Sequence, residues 1–187
     1  MPLESTSIIV AIIGAGPLGR RLAFHAARGG FNVILEDVMP ASLRHAEEGL
    51  RAALGPDAMP LVRFAGTVEE AVREADLAID CVPDELESKL EIFSLLDRMA
   101  PPRTVFATPT TNLSIADLAS CTYRPGQCIA MAVNGSELAT DPTGTARIPI
   151  RITTRTTPEA QALLCQFWQR LGYLAEVELD TAEAMLR

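Results

Sequence analysis

The sequence predicts an α/β fold in which helices cover both faces of a mainly parallel sheet. Apolar runs of strand length alternate with segments of helical period along the chain. The first apolar run also leads directly into a glycine-rich turn, Gly14-Ala15-Gly16-Pro17-Leu18-Gly19. Alternating strands and helices favour right-handed crossovers and parallel pairing. We therefore expect a Rossmann-type doubly wound sheet, with residues 1–187 forming a single domain.

The predicted strands are short apolar runs bounded by polar residues, glycine or proline. They are Ile8–Ile13, Val33–Leu35, Val62–Ala65, Leu77–Cys81, Thr104–Ala107, Cys128–Val133, Ile148–Thr153 and Leu174–Val177. The predicted helices carry apolar residues at helical spacing. They are Pro17–Arg28, Ala41–Leu54, Val68–Ala75, Leu86–Met99, Ile115–Ala119 and Ala160–Leu171.

Residues with restricted backbone chemistry mark the ends of several elements. Pro101-Pro102 ends the fourth helix because proline supplies no amide hydrogen bond. Ser114 resembles a helix N-cap, and Gly172 suits the position after a helix end. Two segments, Gly55–Pro60 and Gly135–Gly144, are predicted to be irregular loops.

The charge and hydropathy of the chain exclude several classes of partner. The formal net charge is −8, and no cluster of lysine and arginine is present, so we expect no nucleic-acid partner. The longest apolar run near the N-terminus, Ile8–Ile13, has only the length of a strand and no charged region before it. We therefore expect no signal peptide, no membrane span and a cytoplasmic location.

The cysteines and histidines indicate no metal site. Neither histidine accompanies a cysteine at ligand spacing, and no CxxC motif occurs. We interpret the cysteines as reduced, mostly buried thiols rather than reactive ones. The residues concerned are Cys81, Cys121, Cys128, Cys165, His25 and His45.

The glycine-rich turn is typical of dinucleotide binding because of where it lies, after a strand and at the start of a helix. Gly14 would permit the tight turn, and Gly16 would let the backbone approach a pyrophosphate. Gly19 would let the helix pack closely on the strand. Pro17 and Leu18 would begin the helix whose N-terminus faces the phosphates.

An acidic pair at the end of the second strand favours NAD over NADP. Asp37 follows Gly14 by 23 residues, close to the separation of about 20 residues at which a carboxylate meets the adenosine ribose. Such a carboxylate would repel the 2′-phosphate of NADP. Glu36 is the alternative residue for this role, and Arg20 and Arg21 are candidates to approach the phosphates or to be merely solvated.

In these motifs and in the segments around them, the chain resembles the NAD-binding N-terminal domain of the 3-hydroxyacyl-CoA dehydrogenases. The resemblance rests on VAIIGAGPLGRRLAFHAARGGFNVILEDV at Val10–Val38, TVEEAVREADLAIDCVPDELESKLEIFSLLD at Thr67–Asp97 and APPRTVFATPTTNLSIADLA at Ala100–Ala119. It implies NAD as cofactor and an oxidoreductase of fatty acid metabolism.

The resemblance also implies roles for residues after the fourth strand. Cys81, Val82 and Pro83 would line the nicotinamide half of the cofactor site. Asp84 follows them at a position where the family has a glutamate, which is not the glutamate that orients the catalytic histidine. Lys89 would reach the nicotinamide ribose. The alternative for Lys89 is an exposed helix lysine.

The turn after the fifth strand differs from the family's Ser-Asn-Thr-Ser. It is Thr108-Pro109-Thr110-Thr111 here, so Thr111 keeps a hydroxyl where the family places a substrate-contacting serine, while Pro109 replaces the family's asparagine. Thr111 is therefore a candidate catalytic residue, although a threonine here can also simply cap the turn.

The family's catalytic histidine and its orienting glutamate have no counterparts. An ungapped alignment places Ala132 at the histidine position, and a shift by one residue places Met131 there and recovers Asn134. The glutamate would fall within Arg147–Arg151, which contains no acid. Asn134 remains as a second candidate catalytic residue beside Thr111.

Two further departures concern the substrate and partners. The family's helical hairpin that helps hold coenzyme A is shortened to one helix, and the sequence stops where the family continues into a helical domain. We expect a homodimer or a separate helical-domain partner, contacted through the tail Ala182–Arg187.

Two functions remain open from the sequence. The first is NAD-dependent oxidation or reduction of a 3-hydroxyacyl thioester or a smaller 3-hydroxy acid. The second is a non-catalytic NAD-binding sensor, or the cofactor-binding subunit of a split dehydrogenase.

Overall fold

A computed structural model describes residues 7–135, 138 and 144–182. In this part of the chain one eight-stranded sheet has the order β3-β2-β1-β4-β5-β6-β7-β8. The strands are β1 (Ile9–Ile13), β2 (Asn32–Glu36), β3 (Val62–Ala65), β4 (Leu77–Asp80), β5 (Val105–Pro109), β6 (Cys128–Met131), β7 (Arg147–Ile152) and β8 (Leu174–Leu179). The helices are α1 (Pro17–Arg28), α2 (Pro40–Ala53), α3 (Val68–Val72), α4 (Leu86–Met99), α5 (Ile115–Ser120) and α6 (Pro158–Arg170).

The strand order places a crevice at β1, because β2 and β3 follow on one side of β1 and β4 and the later strands follow on its other side. β1 pairs in parallel with β2 on one side and with β4 on the other. In open α/β sheets, ligands bind outside the carboxyl ends of the strands at such a switch point. β6 and β7 are antiparallel, whereas β7 and β8 are again parallel. The predicted doubly wound, mainly parallel sheet is confirmed, and the single antiparallel pair is an addition.

Two hydrophobic cores hold the helices on the sheet. The core beneath α1 and α6 contains Leu22, Phe31 and Trp168, none of which is accessible to solvent. The core beneath α3, α4 and α5 contains Phe93 and Leu118. Burial of apolar area, at about 25 cal/mol per Å², therefore stabilises both faces of the sheet.

Several element ends differ from the predicted ones. α3 ends at Val72 because the N–H of Ala75 turns back to the carbonyl of Val72, where the prediction ran to Ala75. β8 continues to Leu179, beyond the predicted end at Val177, because it pairs with β7 as far as the partners Ile152 and Leu179.

Parts of two predicted segments lie outside the described residues. These are 136–137 and 139–143 in the loop Gly135–Gly144, and 183–187 in the tail Ala182–Arg187. Among the helices that the structure describes, none is long and apolar enough to cross a membrane.

Candidate functional site

The glycine-rich turn requires glycine at two of its positions. Gly14 has a φ of +106°, a region that residues with a Cβ rarely adopt, and a Cβ there would lie 3.1 Å from the carbonyl oxygen of Cys81. A Cβ on Gly19 would lie 1.9 Å from the carbonyl oxygen of Gly14. The turn and the start of α1 are therefore packed against β1 and β4 without room for side chains.

Gly16 differs because it faces open space. A Cβ on Gly16 would meet no heavy atom within 4 Å. Gly16 is the N-cap of α1, with no side-chain capping bond and no acidic residue in the first turn, and Pro17 is the first helical residue. Because helix N-termini carry unsatisfied N–H groups and partial positive charge, this opening fits an anionic pyrophosphate.

Asp37 connects the end of β2 to the glycine-rich turn. Its Oδ2 accepts a hydrogen bond from the N–H of Ala15 at 2.9 Å, and its Oδ1 accepts one from the N–H of Met39 at 2.8 Å. The half-buried carboxylate therefore lies beside the turn, at the position where the sequence places the contact with the adenosine ribose.

Glu36, the alternative for that role, is buried beneath the same turn. Its residue is only 2% exposed, and its Oε1 has no hydrogen-bond partner among the described residues. Burial, with a further contribution from Asp37, raises the pKa of Glu36 to about 7, against the opposing effect of the Gly14 N–H. Asp37 is thus the more accessible of the two acids.

A buried polar cluster fixes the carboxyl end of β4. Lys89 Nζ lies 3.3 and 3.2 Å from the two carboxylate oxygens of Asp80, and neither side chain is accessible to solvent. Thr108 donates its hydroxyl to Asp80 Oδ2 at 2.6 Å, and the N–H of Val82 donates to Oδ1 at 3.1 Å. Burial raises the pKa of Asp80, and these partners oppose the rise.

This cluster corrects the alternative interpretation of Lys89 as an exposed helix lysine. The ammonium group contacts Asp80 inside the protein, and a contact between Lys89 and the nicotinamide ribose stays a prediction. The physical reason is that the Asp80 carboxylate, once buried, requires a counter-charge. Asp80 is a residue of this site that the sequence did not indicate, because no local pattern shows that both side chains are buried.

The other residues predicted for the nicotinamide half follow β4 directly. Cys81 donates its N–H to the carbonyl of Ile13 at 2.7 Å, which holds the segment against β1. Cys81 and Val82 are half-buried, whereas Pro83 and Asp84 are exposed. All four follow the carboxyl end of β4, and their contacts with a cofactor stay predictions.

The two candidate catalytic residues follow neighbouring strands. β5 and β6 pair in parallel, so Thr111 and Asn134 both lie beyond the carboxyl edge of the sheet. The N–H of Thr110 donates to the carbonyl of Met131 at 3.0 Å. Both candidate side chains belong to exposed residues.

The backbone brings Ala132, one of the two candidates for the histidine position, next to the segment in which the resemblance expects the glutamate. Ala132 donates its N–H to the carbonyl of Pro149 at 2.9 Å. Pro149 lies in β7, the segment expected to carry the glutamate. Neither Ala132 nor Met131 is a histidine, and the segment Arg147–Arg151 contains no acid.

Asp180, an acid that sequence reasoning missed, directly follows β8, the strand that pairs with β7. Asp180 Oδ1 is 3.3 Å from the guanidinium of Arg151, and its Oδ2 accepts from the hydroxyl of Ser114 at 3.0 Å and the N–H of Ile115 at 2.8 Å. Asp180, rather than the side chain of Ser114, therefore caps α5. Arg151 also donates to the carbonyl of Thr110 at 2.7 Å, which ties this group to the segment before Thr111.

A cleft of about 520 Å³ lies between α1, α2 and the residues after β6. Arg21 bridges it by donating to the carbonyls of Gly135 and Leu138. The described lining contains arginines and histidines with apolar side chains and no acid, in a chain of net charge −8. The lining includes Arg20, Arg21, Phe24, His45, Leu50 and Leu138.

The thiols show no sign of activation. Burial raises the pKa of Cys81 and raises that of Cys128 to about 12. It also raises the pKa of Cys121 and of Cys165. No group of three or more histidine, cysteine or acidic side chains in the described part of the chain could hold a metal ion.

Solved structures similar to this chain include a diketoreductase and an NAD⁺-dependent dehydrogenase. A diketoreductase aligns with a TM-score of 0.81 and 28% identity, over 95% of this chain and 65% of that one. 5-Formyl-3-hydroxy-2-methylpyridine 4-carboxylic acid 5-dehydrogenase, described as an NAD⁺-dependent dismutase, aligns with a TM-score of 0.81 and 26% identity, over 95% of this chain and 59% of that one.

Two relatives are similar to this chain in sequence over part of their length. A probable 3-hydroxybutyryl-CoA dehydrogenase of Bacillus subtilis is 33% identical, covering 69% of this chain and 48% of that protein. The human lambda-crystallin homolog is 30% identical, covering 67% of this chain and 44% of that protein. The chain thus spans less than half the length of these relatives. The profile of the 3-hydroxyacyl-CoA dehydrogenase NAD-binding domain matches residues 9–133, and the chain belongs to this NAD-binding family.

Proposed function

We propose that this chain binds NAD(H) at the carboxyl edge of β1, β2 and β4 and has little dehydrogenase turnover by its own residues. The observation that carries the binding is the open space at Gly16, at the uncapped N-terminus of α1. Pro17 and Leu18 begin that helix, and Asp37 lies beside the turn. In this proposal the helix N-terminus holds the pyrophosphate and Asp37 accepts from the adenosine ribose.

The nicotinamide half would lie towards β4. Cys81, Val82, Pro83 and Asp84 would line it, and the Lys89–Asp80 pair would hold that segment in place from below. When bound, NAD(H) supplies a hydride acceptor or donor, and the protein has to place the substrate carbon and move a proton. Thr111 and Asn134 are the exposed polar groups that could orient such a substrate.

Proton transfer is the step that this chain is poorly equipped to perform. A positioned general base contributes about 10²–10⁴-fold to a rate. Neither Ala132 nor Met131 offers such a group at the position of the family's histidine, and Arg147–Arg151 contains no acid to orient one. Neither a threonine hydroxyl nor an asparagine amide is a base near neutral pH.

The cleft beside α1 supports an anionic substrate with an apolar portion. Its lining combines Arg20 and His45 with Phe24 and Leu50. A 3-hydroxyacyl thioester of coenzyme A, or a small 3-hydroxy acid, has this character. We infer that an activity of this kind would belong to fatty acid metabolism.

The experiment is an NADH-absorbance assay with acetoacetyl-CoA, run beside an NADH fluorescence titration. We expect saturable NADH binding and turnover well below the ordinary enzyme range of about 1–10³ s⁻¹. Ordinary turnover that is abolished by Thr111→Ala, and retained in Asp57→Ala as a control on an exposed loop acid, would contradict the proposal. Asn134→Ala tests the second candidate in the same way.

The edge strand β8 favours a second candidate, in which the chain is a cofactor-binding subunit that acts with another chain. Leu174, Val177 and Leu179 are 48%, 38% and 59% exposed on this strand. Exposed apolar strands commonly mark interfaces. The partner would be a second copy or a separate helical-domain chain that supplies catalytic groups, whereas a redox sensor would need no such groups.

Light scattering tests the association. We expect a mass above that of a monomer, and Val177→Lys should lower it while leaving NADH binding intact. A monomeric mass at every concentration would contradict association. The free cysteines of the described residues fit a reducing compartment, and we propose a cytoplasmic location.

A further inference from the structure

We propose that the carboxyl group of Glu36 couples dinucleotide binding to protonation, so that the glycine-rich turn binds NAD(H) most tightly when Glu36 is neutral. This inference rests on the proposed NAD(H) site and adds a titrating residue to it.

The position of Glu36 links it directly to the turn. It is the last residue of β2 and the register partner of Ile13, the last residue of β1. The N–H of Gly14, the first glycine of the turn, donates to the Glu36 carbonyl at 2.8 Å. The Glu36 side chain lies on the same face of the sheet as Ile34, which packs in the core beneath α3, because residues two apart share a face.

Asp80 provides an internal comparison. Ile13 pairs with Glu36 on one side and with Asp80 on the other, so the two acids lie in one row across the sheet, about 10 Å apart between Cα atoms. Asp80 has a counter-charge in Lys89 and further hydrogen bonds. Glu36 has an unpartnered Oε1 and, in the described chain, no cation paired with it.

The lack of a counter-charge bears on the charge state of Glu36. A buried carboxylate without a counter-ion is costly, and the group becomes neutral instead. Burial accordingly raises the pKa of Glu36 to about 7, within the physiological range. The Glu36 side chain is therefore protonated in a large part of the molecules near neutral pH.

The charges on the surrounding elements do not compensate Glu36. Asp37, next in the chain, raises its pKa further. β1 carries no titratable residue, and the cations of α1 lie on the other face of the sheet from the Glu36 side chain. The charged residues of β3, of α3 and of the position that ends α3 are exposed to solvent; they are Arg63, Glu69, Glu70 and Arg73.

An anionic pyrophosphate at Gly16 would act on this carboxyl group. Ionised Glu36 would repel the phosphates through a poorly polarisable interior, and bound phosphates would in turn raise the pKa of Glu36. By linkage, NAD(H) binding takes up a proton, and affinity falls as the pH rises through about 7. Each unit by which the bound phosphates raise the pKa of Glu36 corresponds to a tenfold change in Kd.

Calorimetric titration with NADH from about pH 6 to about pH 8.5 tests this. We expect the Kd of the unmodified chain to rise about three- to tenfold over this range, with proton uptake visible as a dependence of the heat on the buffer. Glu36→Gln should bind with a Kd that is independent of pH and close to the low-pH value of the unmodified chain. Glu69→Gln, an exposed acid on α3, should keep the original pH dependence.

Several results would overturn the proposal. One is a Kd of the unmodified chain that does not change with pH, and another is an unchanged pH dependence in Glu36→Gln. Absence of NADH binding at every pH would overturn the cofactor assignment and this proposal together, which distinguishes the two failures.

A measurement on the unmodified chain avoids dependence on a variant that fails to fold. Carbon-13 NMR of the Glu36 carboxyl group in the free protein should give a titration midpoint near 7. A midpoint near the ordinary value of 4.5 would overturn the proposal. Glu36→Val, which removes the carboxyl group and introduces no polar atom, is the second variant, and its Kd for NADH should likewise be independent of pH.

Discussion

Lys89 and Asp80 form a fully buried ion pair at the carboxyl end of β4, with the ammonium nitrogen 3.3 and 3.2 Å from the two carboxylate oxygens. Thr108 adds a hydrogen bond from β5, and the N–H of Val82 adds one from the segment after β4. The pair therefore joins α4, β4 and β5 directly beneath the proposed nicotinamide half of the site.

Removing Lys89 should destabilise the fold strongly. Lys89→Met leaves Asp80 buried without a counter-charge, and we expect a loss of about 3–5 kcal/mol in the free energy of unfolding. The double variant Lys89→Met, Asp80→Leu should recover much of this loss because no unpaired charge remains. Urea denaturation measures both, with Arg98→Met, an exposed cation on the same helix, as control. A loss for Lys89→Met as small as that of the control would contradict the account.

Two glycines of the turn should respond differently to the same substitution. Gly19→Ala places a Cβ 1.9 Å from the Gly14 carbonyl oxygen, so we expect it to destabilise the fold by about 1–3 kcal/mol. Gly16→Ala meets no atom within 4 Å, so stability should be nearly unchanged while NADH binding weakens. Thermal unfolding and NADH titration of both variants separate the effects. NADH affinity unaffected by Gly16→Ala would show that no phosphate lies there.

The stability of the chain should depend on pH through Glu36. Its pKa is about 7 in the folded chain and 4.5 as an ordinary value, so the folded state binds more protons and stability falls between these pH values as the pH rises. The full shift of the pKa of Glu36 corresponds to about 3 kcal/mol, and we expect an effect of about 1–3 kcal/mol on the free energy of unfolding. Glu36→Gln should therefore be more stable than the original chain above pH 7 and equal to it below pH 4.5, by urea denaturation. Equal stability at high pH would contradict this.

Local patterns were sufficient to predict most of the fold. α1 has the predicted bounds Pro17–Arg28 because Pro17 starts it and the glycines after Arg28 end it. The ends of β8 depended instead on pairing with β7, and the exposed residues of an edge strand give little hydrophobic signal. The antiparallel pair of β6 and β7 likewise depends on long-range contacts.

The candidate site was predictable only where its residues are close in sequence. The glycine-rich turn and Asp37 could be identified because spacing alone sets their geometry. The partner of Lys89 and the role of Asp180 could not be identified from the sequence. Asp180 caps α5 from 65 residues away, which no local pattern indicates. The pairing of Lys89 with Asp80 depends on the burial of both side chains, which the spacing of the two residues does not show.

Asp37 is expected to contribute to cofactor affinity in its own right. Asp37→Ala removes the proposed acceptor for the ribose hydroxyls, along with the bond to the Ala15 N–H, and should weaken NADH binding by about 1–3 kcal/mol. Asp57→Ala, an exposed acid in the loop before β3, is the matched control and should bind as the original chain does. Equal weakening in both variants would argue against a specific role for Asp37.

The central claim is a site on this chain that accepts NAD(H) and discriminates by charge at Asp37. Parallel calorimetric titrations of the unmodified chain with NADH and NADPH test it most directly. The account predicts saturable NADH binding with one site per chain and much weaker binding of NADPH, because the carboxylate repels the 2′-phosphate. Equal dissociation constants for the two dinucleotides, or no binding of either, would contradict it.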